Sequence, residues 1–447
     1  MQKKFIALAV ASLVSGAAFA QTNVTVYGVG DVSFEGASAT GATSFATGAN
    51  TLANPGLTAA QQAVQSNIGN RARVQSNSSL LGFKGSEALG NGLTAVFQIE
   101  TGVNFNQTQN ANQTGVTPPG TGIANGLFTG ARDTYVGVAG GFGTVIGGWI
   151  STLYRSQNAA FDVVPGSAGA GNNNGVFAKA NGNVNLAFRT NAIAYISPTF
   201  SGFNGGIAYV PNSFNSQDTT TGALANTVRI PGNLQGLTLA NPSAIPANNQ
   251  VNPYGWNVAL NYANGGAKVS YSYLGLNDVG IGSGSSEKHN ANLLSGLYAF
   301  GQGTTVSAQW QNFNGKISLG SAAGVNDLTL KRNSYFLGVK HVMGANEFAA
   351  SYQNAASTSG SLMTTLGNTY NPVLGSNIGN NNTGAQQFTL RYGYNFSKRT
   401  QAYALYTKIS NNSNAAFDLN SSNGNGSVNS ALGADPQVYG VGLRHSF

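Results

Sequence analysis

The sequence contains no cysteine, only 3 Met and few charged residues, and these shortages exclude whole classes of protein. Of its 447 residues only 8% are Asp, Glu, Lys or Arg, whereas globular proteins average about 25%. Without cysteine an exported chain has no disulfide framework and no thiol redox chemistry. Because a soluble domain of this size needs surface charge to stay dispersed, the composition argues against an ordinary cytoplasmic enzyme.

Long hydrophobic runs are also missing. Beyond the N-terminus there is no stretch of about 18 apolar residues, so no transmembrane helix is predicted. The N-terminus has the basic pair Lys3 and Lys4, a short apolar run over 5–14, and the small-x-small site Ala18-Phe19-Ala20. This arrangement predicts a cleaved signal peptide over 1–20 and an exported mature chain over 21–447.

Glycine and aromatic residues are abundant instead. The chain has 61 Gly and 10% aromatics, and its hydrophobic content of 41% is too high for a disordered protein. The net charge of +8 is spread along the chain, so no nucleic-acid partner is expected. The composition favours an all-β, turn-rich protein whose outer surface need not face water.

Apolar and polar residues alternate along segment after segment. Between Phe388 and Phe396 the odd-placed residues Thr389, Arg391 and Asn395 are polar, and their neighbours are Leu or aromatic. Successive side chains of a strand point to opposite faces, so each segment reads as a strand with one apolar and one polar face. About sixteen such segments are predicted, over 23–35, 71–87, 92–105, 128–139, 143–150, 185–197, 203–211, 254–263, 267–276, 288–300, 303–315, 328–342, 346–355, 385–396, 400–411 and 436–447.

The connections alternate between short turns and long loops. Tight turns such as Gly90-Asn91-Gly92 and Asn264-Gly265-Gly266 contrast with connections rich in Gly, Asn, Ser and Thr. Short turns at one rim and long loops at the other are typical of outer-membrane barrels. In lipid every backbone group must be paired within the protein, which requires the sheet to close, and a barrel this wide encloses water. The long connections are 36–70, 106–127, 151–184, 212–253, 356–384 and 412–435.

A soluble β-sandwich or β-solenoid is the competing interpretation. A sandwich of this length needs at least two domains, and no linker separates two halves. The run over 171–175 suggests a calcium-binding solenoid, but that repeat needs regularly spaced aspartates, and the whole chain has 13 acidic residues.

Several ordered motifs resemble the general diffusion porins of beta-proteobacterial outer membranes. The opening strand over 23–31, the hairpin over 81–93, the strand over 95–100, the pair over 132–147 and the strand over 189–198 match in order. The last seven residues, Val441-Gly442-Leu443-Arg444-His445-Ser446-Phe447, are similar to the family's terminal aromatic strand. The match is collinear over nearly the whole mature chain.

The resemblance implies a sixteen-stranded antiparallel transmembrane β-barrel with short periplasmic turns and long extracellular loops. It also implies a homotrimer in the cell outer membrane, in contact with lipid and lipopolysaccharide, whose third loop folds into the pore. The terminal Phe447 is then read by the barrel-assembly machinery. Small hydrophilic solutes and ions pass by diffusion, without a cofactor or a metal.

The same resemblance implies a charged pore constriction. By position, Arg132 and Arg189 match the family's wall arginines and Glu100 a wall acid. Asp133 follows Arg132, so both face inward only if the strand is bulged there or ends near a rim. The remaining candidates are Asp31 and Lys84 on the wall, and Arg155, Asp162 and Lys179 in the third loop.

Two departures from the family pattern weaken the positive charge of this constriction. Leu80 stands where the family has arginine before Leu-Gly-Phe, and Trp149 stands where an arginine follows glycine. Few charges in a pore that salt screens predict only a weak anion preference.

Other functions receive less support from the residues. His289, His341 and His445 are far apart, and no nucleophile elbow or phosphate-binding loop is present, so the chain is not predicted to be an enzyme. A substrate-specific, nutrient-selective channel is the alternative. It would need aromatic residues along the lumen, and most aromatics here have the outward parity. A role of the long loops in adhesion stays open.

Overall fold

The structure is a computed structural model, and it describes residues 23–43, 67–105, 128–164, 171–181, 184–211, 254–277, 286–318, 327–361, 370–371, 376–377, 382–419, 428 and 431–447. The predicted signal peptide over 1–20 lies outside the described residues. The strands are β1 Asn23–Thr40, β2 in two segments Ile68–Ser76 and Leu80–Gly90, β3 Leu93–Val103, β4 in two segments Phe128–Ala131 and Thr134–Gly140, β5 Gly143–Ser151, β6 Arg189–Ile196, β7 Phe203–Val210 and β8 Tyr254–Asn264. The series continues with β9 Ala267–Asn277, β10 Ser286–Ala299, β11 Thr304–Ser318, β12 Leu328–Met343, β13 Asn346–Ala355, β14 Ala385–Asn395, β15 Thr400–Asn411 and β16 Asp435–Ser446.

The sixteen strands form one closed antiparallel barrel, as predicted. Each strand pairs with the next, and β16 returns to β1 along a ladder that runs from Val29↔Ser446 to Thr40↔Asp435. At its periplasmic end the ladder finishes with reciprocal backbone hydrogen bonds of 3.1 Å between Gly28 and Phe447. Closure leaves no unpaired edge, which is the condition for a sheet that faces lipid.

The predicted inversion of inside and outside is visible strand by strand. On β14 the side chains of Phe388 and Leu390 are 43% and 46% exposed, while those of Gln387 and Thr389 between them are 1% and 0% exposed. The apolar side chains therefore cover the outer wall, and the polar ones face the interior.

The ends of two strands differ slightly from the prediction. The segment over 36–70 was expected to be loop throughout, but β1 continues to Thr40 and β2 begins at Ile68. The small inward side chains of Ala37 and Ala39 are fully buried and take part in ladders to both β2 and β16. The extra pairing extends the wall on the side of the long loops.

The tight turn between β2 and β3 shows why its sequence is Gly-Asn-Gly. Gly90, Asn91 and Gly92 have φ angles of 84°, 50° and 76°. This left-handed conformation is open to glycine and tolerated by asparagine, so a β-branched residue here would strain the hairpin.

The third long connection folds into the barrel. It begins with a helix, α1, over Leu153–Ala160, capped by the Thr152 hydroxyl, which accepts a hydrogen bond from the backbone N–H of Arg155. The backbone N–H of Tyr154 donates to Asn257 on β8 at 2.9 Å, and the Tyr154 hydroxyl donates to Gln311 on β11. The helix therefore lies against the inner wall.

The rest of this connection crosses to the opposite wall. The backbone N–H groups of Val176 and Phe177 donate to the Gln353 side chain on β13 at 3.2 and 3.0 Å. The hydroxyl of Thr389 on β14 donates to the carbonyl of Gly171 at 3.2 Å. The predicted inward-folded third loop is confirmed.

An apolar cluster fills part of the interior near the long connections. Val176 of the third connection packs there with residues of the last connection, including Phe417 and Leu419, and with the inward alanines of β1. This cluster narrows the interior on the side of β13 to β16. In the part of the chain that the structure describes, no helix has the length and hydropathy needed to cross a membrane.

Candidate functional site

A break in β4 brings two consecutive charged residues to the inner wall. The strand stops at Ala131 and resumes at Thr134, so Arg132 and Asp133 lie outside the regular ladder. Both side chains turn inward, Arg132 to Glu100 on β3 and Asp133 to Arg189 on β6. The break resolves the parity conflict that the sequence posed.

The carboxylates of this wall are held by several donors. Glu100 is in an ion pair with Arg132 and accepts a hydrogen bond of 3.0 Å from the hydroxyl of Tyr27 on β1. Asp133 accepts from Arg189 Nε at 3.0 Å, and from the backbone N–H and the hydroxyl of Ser151 at 2.6 and 3.0 Å. These bonds fix both acids against the wall.

Arg155 of α1 adds a third guanidinium group to the same place. Its Nη1 donates to the carbonyl oxygen of Ala187 at 2.6 Å. Burial, and then the nearby positive charges of Arg189 and Arg132, lower the pKa of Arg155 to about 10, which still leaves it charged at neutral pH. Asp133 and Glu100 act in the opposite direction.

The arginine cluster, defined as Arg132, Arg155 and Arg189 with Glu100 and Asp133, therefore has three cations for two anions. The arginine cluster brings together four residues that were predicted for the constriction: Glu100 on β3, Arg132 at the break in β4, Arg189 on β6 and Arg155 on α1. Asp133, at the same break, is the fifth member.

Lys84 and Tyr27 extend the arginine cluster toward β1 and β2. The Lys84 ammonium lies 5.2 Å from the centroid of the Tyr27 ring, close enough for a cation–π contact. The Tyr27 ring lies against Gly82, where any Cβ atom would collide with it. Glycine at this position lets the Tyr27 hydroxyl reach Glu100.

Asp31 belongs to a different group on the interior wall of β1 and β13 to β16. Its buried carboxylate accepts hydrogen bonds from Tyr403 at 2.7 Å and Asn77 at 3.4 Å, and it pairs with Arg444 at 3.2 Å. The structure does not bring it to the arginine cluster.

The neighbours of Asp31 are charge-balanced. The guanidinium of Arg391 lies 4.6 Å from the Tyr403 ring and pairs with Glu347 at 2.9 Å. Glu35 on β1 pairs with Arg73 on β2 at 3.0 Å. These residues were not predicted as candidates, although Arg391 lies between Leu390 and Tyr392 and so has the inward parity.

The two other loop candidates also lie elsewhere. Asp162 is buried, and its carboxylate accepts backbone hydrogen bonds from Val164 and Asn173 at 2.9 and 3.1 Å. Burial raises its pKa to about 6. Lys179 is 4% exposed, and burial lowers the pKa of its ammonium, an effect that the charge of Asp418 opposes. The contacts of Asp162 hold the third loop to itself rather than to the arginine cluster.

One buried arginine on β12 was not anticipated. Arg332 is 2% exposed, and its Nη2 donates to the Thr358 hydroxyl at 2.6 Å and to the Thr383 carbonyl at 2.9 Å. Its guanidinium lies 5.1 Å from the centroid of the Phe417 ring. Arg332 thereby ties the barrel wall to the connection between β13 and β14 and, through Phe417, to the last long connection.

The histidines do not meet. His289 stacks on Phe313 with ring centroids 5.5 Å apart, whereas His341 and His445 each bond a threonine hydroxyl. Among the residues that the structure describes, no group of three or more His, Asp or Glu side chains is placed to hold a metal ion.

Known proteins resemble this chain in both sequence and fold. Major outer membrane protein P.IA of Neisseria meningitidis serogroup B is 30% identical over 217 residues, which are 47% of this chain and 46% of that protein. Major outer membrane protein P.IB of Neisseria gonorrhoeae is 32% identical over 133 residues, or 30% and 32% of the two chains. The chain thus matches about half the length of the curated relatives, or less.

Solved structures show the same fold at lower identity. The anion-selective porin from Comamonas acidovorans is 22% identical, with a TM-score of 0.62 over 96% of this chain and 100% of that one. The trimer form of OmpT, an outer membrane protein of Vibrio cholerae, is 12% identical, with a TM-score of 0.56 over 95% and 99%. A sequence profile described as Gram-negative porin matches residues 7–415. The barrel, the inward third loop and this match over most of the sequence agree: the chain is an outer-membrane β-barrel that belongs to the Gram-negative porin family.

Proposed function

We propose that the protein is a water-filled channel through which small hydrophilic solutes and ions diffuse passively, with a weak preference for anions. The observation that carries the anion preference is the composition of the arginine cluster, three guanidinium groups against two carboxylates. The structurally similar porin from Comamonas acidovorans is anion-selective, which agrees in sign with this proposal.

The preference is weak for two physical reasons. The group around Asp31 is balanced by arginines, so it adds little net field. Charges in a wet pore are screened within about 8 Å at physiological salt. The net excess of one positive charge in the arginine cluster, together with the charge of the neighbouring Lys84, is therefore felt only by ions that pass close to them.

Processing and assembly precede the function of the channel. Residues 1–20 are removed as a signal peptide, and 21–447 form the barrel, which assembles as a homotrimer. Phe447 serves as the terminal recognition residue for the assembly machinery. The channel acts on its solutes without chemistry and without a cofactor.

A substrate-specific channel receives less support. Among the described residues, strand aromatics such as Trp256 and Tyr335 are exposed on the outer wall, and inward aromatics such as Tyr154 and Phe177 are fully buried rather than open to a sugar path. Saturable block of the conductance by one solute would favour that alternative.

The test is a reversal-potential measurement on purified protein in planar bilayers under a KCl gradient, together with non-electrolyte sizing. A small potential of the anion-selective sign supports the proposal. A clear cation preference contradicts it, and the lack of any conductance contradicts the channel itself.

A further inference from the structure

On the outer face of three adjacent strands, β10, β11 and β12, the side chains form rows that change in character toward the long loops. Leu294, Trp310 and Tyr335 lie directly opposite one another in the register and form an apolar and aromatic row. Leu294 and Tyr335 are 47% and 48% exposed, as expected of the lipid-facing surface. Aromatic rows of this kind mark the boundary between hydrocarbon and headgroups.

The next row toward the long loops consists of asparagines. Asn292, Asn312 and Asn333 lie opposite one another in the ladder. Asn312 donates to Asn333 at 2.9 Å, and Asn292 accepts from the hydroxyl of Tyr271 at 2.8 Å. One row further, Asn314 donates to Asn290 at 3.3 Å and faces Lys331 on β12. The outer face of the wall thus changes from apolar and aromatic side chains to asparagine side chains from one row to the next.

The last row is basic. Lys288 pairs directly with Lys316 in the register, and Lys316 with Thr329. Lys288 and Lys331 are exposed, and the Lys316 side chain is 52% exposed. Like charges directly opposite each other in an antiparallel pair are unfavourable unless an anion lies between them. Asp327 pairs with Lys316 at 2.5 Å, which leaves an excess of two positive charges over the three lysines and this acid.

The depth of the lysines follows from strand geometry. Lys331 and Lys316 lie four and six residues beyond the aromatic row, which is about 14 to 20 Å along a strand and about 10 to 15 Å along the membrane normal at a tilt near 40°. This height corresponds to the headgroup and saccharide layer rather than to the hydrocarbon. The lysines are also on the outside of the wall, away from the pore.

We propose that this outer-wall lysine patch, Lys288, Lys316 and Lys331, binds the phosphorylated saccharide head group of lipopolysaccharide. The inference depends on the proposed outer-membrane channel in one respect: the orientation of the channel places the patch on the outer, lipopolysaccharide-containing side of the membrane. The ammonium groups pair with the phosphates, and the asparagines beside Lys331 and below the three lysines supply donors and acceptors for sugar hydroxyls. The aromatic row then meets the start of the acyl chains.

The experiment compares the parent with a variant in which all three lysines of the patch are replaced by Gln. A matched control replaces three exposed cations near the short turns, at Lys268, Lys398 and Arg399, by Gln. Binding of purified lipopolysaccharide to the folded, detergent-solubilised protein is measured by titration. Single-channel conductance in phospholipid bilayers is recorded for every protein.

We expect the half-saturating concentration of lipopolysaccharide to rise at least tenfold in the patch variant and less than twofold in the control, with conductance unchanged in both. Enzymatically dephosphorylated lipopolysaccharide should bind the parent as weakly as the intact lipid binds the patch variant.

Equal binding of the parent and the patch variant, or equal binding of the dephosphorylated lipid, would overturn the proposal. So would full competition by millimolar inorganic phosphate, because the site would then be one for free phosphate. Since conductance is recorded separately, failure of the channel proposal is distinguishable from failure of the lipid site.

Discussion

Replacing Arg155 by Gln tests where the anion preference originates. The substitution leaves the guanidinium groups of Arg132 and Arg189 against the carboxylates of Glu100 and Asp133, so the arginine cluster becomes neutral. The substitution also removes the hydrogen bond from Arg155 Nη1 to the Ala187 carbonyl. The arginine cluster keeps both of its ion pairs, so the change is mainly one of charge.

The size of the effect follows from Coulomb's law. A unit charge about 8 Å from a passing ion contributes about 0.5 kcal/mol in water, and salt at 0.15 M reduces this to about 0.2 kcal/mol. Because the sign is opposite for anions and cations, losing the charge lowers the anion-to-cation permeability ratio about twofold. At 0.01 M salt the same charge contributes about 0.4 kcal/mol, and the ratio falls about fourfold.

The assay is the reversal potential in planar bilayers under KCl gradients centred on these two salt concentrations. Arg155→Lys is the matched control, because it keeps the positive charge. Burial lowers the pKa of Arg155 to about 10 and would lower that of a lysine as well, so measurement at pH 6 keeps both side chains charged. An unchanged ratio in Arg155→Gln, an equal loss in Arg155→Lys, or an effect independent of salt would refute the reasoning.

Three further changes test other parts of the interior. Asp133→Asn should raise the anion-to-cation ratio about twofold at 0.15 M salt, because it removes a negative charge from the arginine cluster; Asp327→Asn, outside the lumen, should leave the ratio unchanged in the same bilayer recording. Because burial raises the pKa of Asp162 from 3.8 to about 6, the folded protein binds the proton more tightly than the unfolded chain. Stability should therefore fall by about 3 kcal/mol as pH rises from about 4 to 6 and then level off, and urea unfolding of Asp162→Asn should lack this slope. Phe447→Ala should lower the yield of heat-modifiable, folded barrel in outer-membrane fractions, while in vitro refolding in detergent proceeds; normal membrane assembly would contradict its proposed recognition role.

The barrel could be predicted from the sequence because the alternation of apolar and polar residues within each strand shows which face points to lipid. Alternation in segments such as 388–396 fixes which residues face lipid, and the need to pair every backbone group in a membrane then requires closure. Only the strand ends moved, since small inward residues such as Ala37 and Ala39 can belong either to a wall or to a loop.

The arginine cluster was harder to predict because it depends on an irregularity. A period of two cannot place Arg132 and Asp133 on the same face; the break in β4 does, and its only trace in the sequence is the adjacency of two charges. Asp162 shows the opposite limit. As the acid of an inward loop it fitted a pore-facing role, but its carboxylate binds backbone N–H groups eleven residues or fewer away.

Because β1 and β16 pair to close the barrel, the two chain ends lie close together and the chain can be circularly permuted. The paired residues Asp31 and Arg444 are 413 positions apart in the chain, yet they touch, and Gly28 and Phe447 share backbone hydrogen bonds at the same rim as the short turns. A short peptide joining the two ends, with new termini at Ser397-Lys398, would preserve all sixteen strand pairs in a circularly permuted chain. In such a molecule Phe447 would still close the ladder between β1 and β16, but it would no longer be the last residue of the chain. Its contribution to barrel closure would then be separated from its proposed recognition by the assembly machinery.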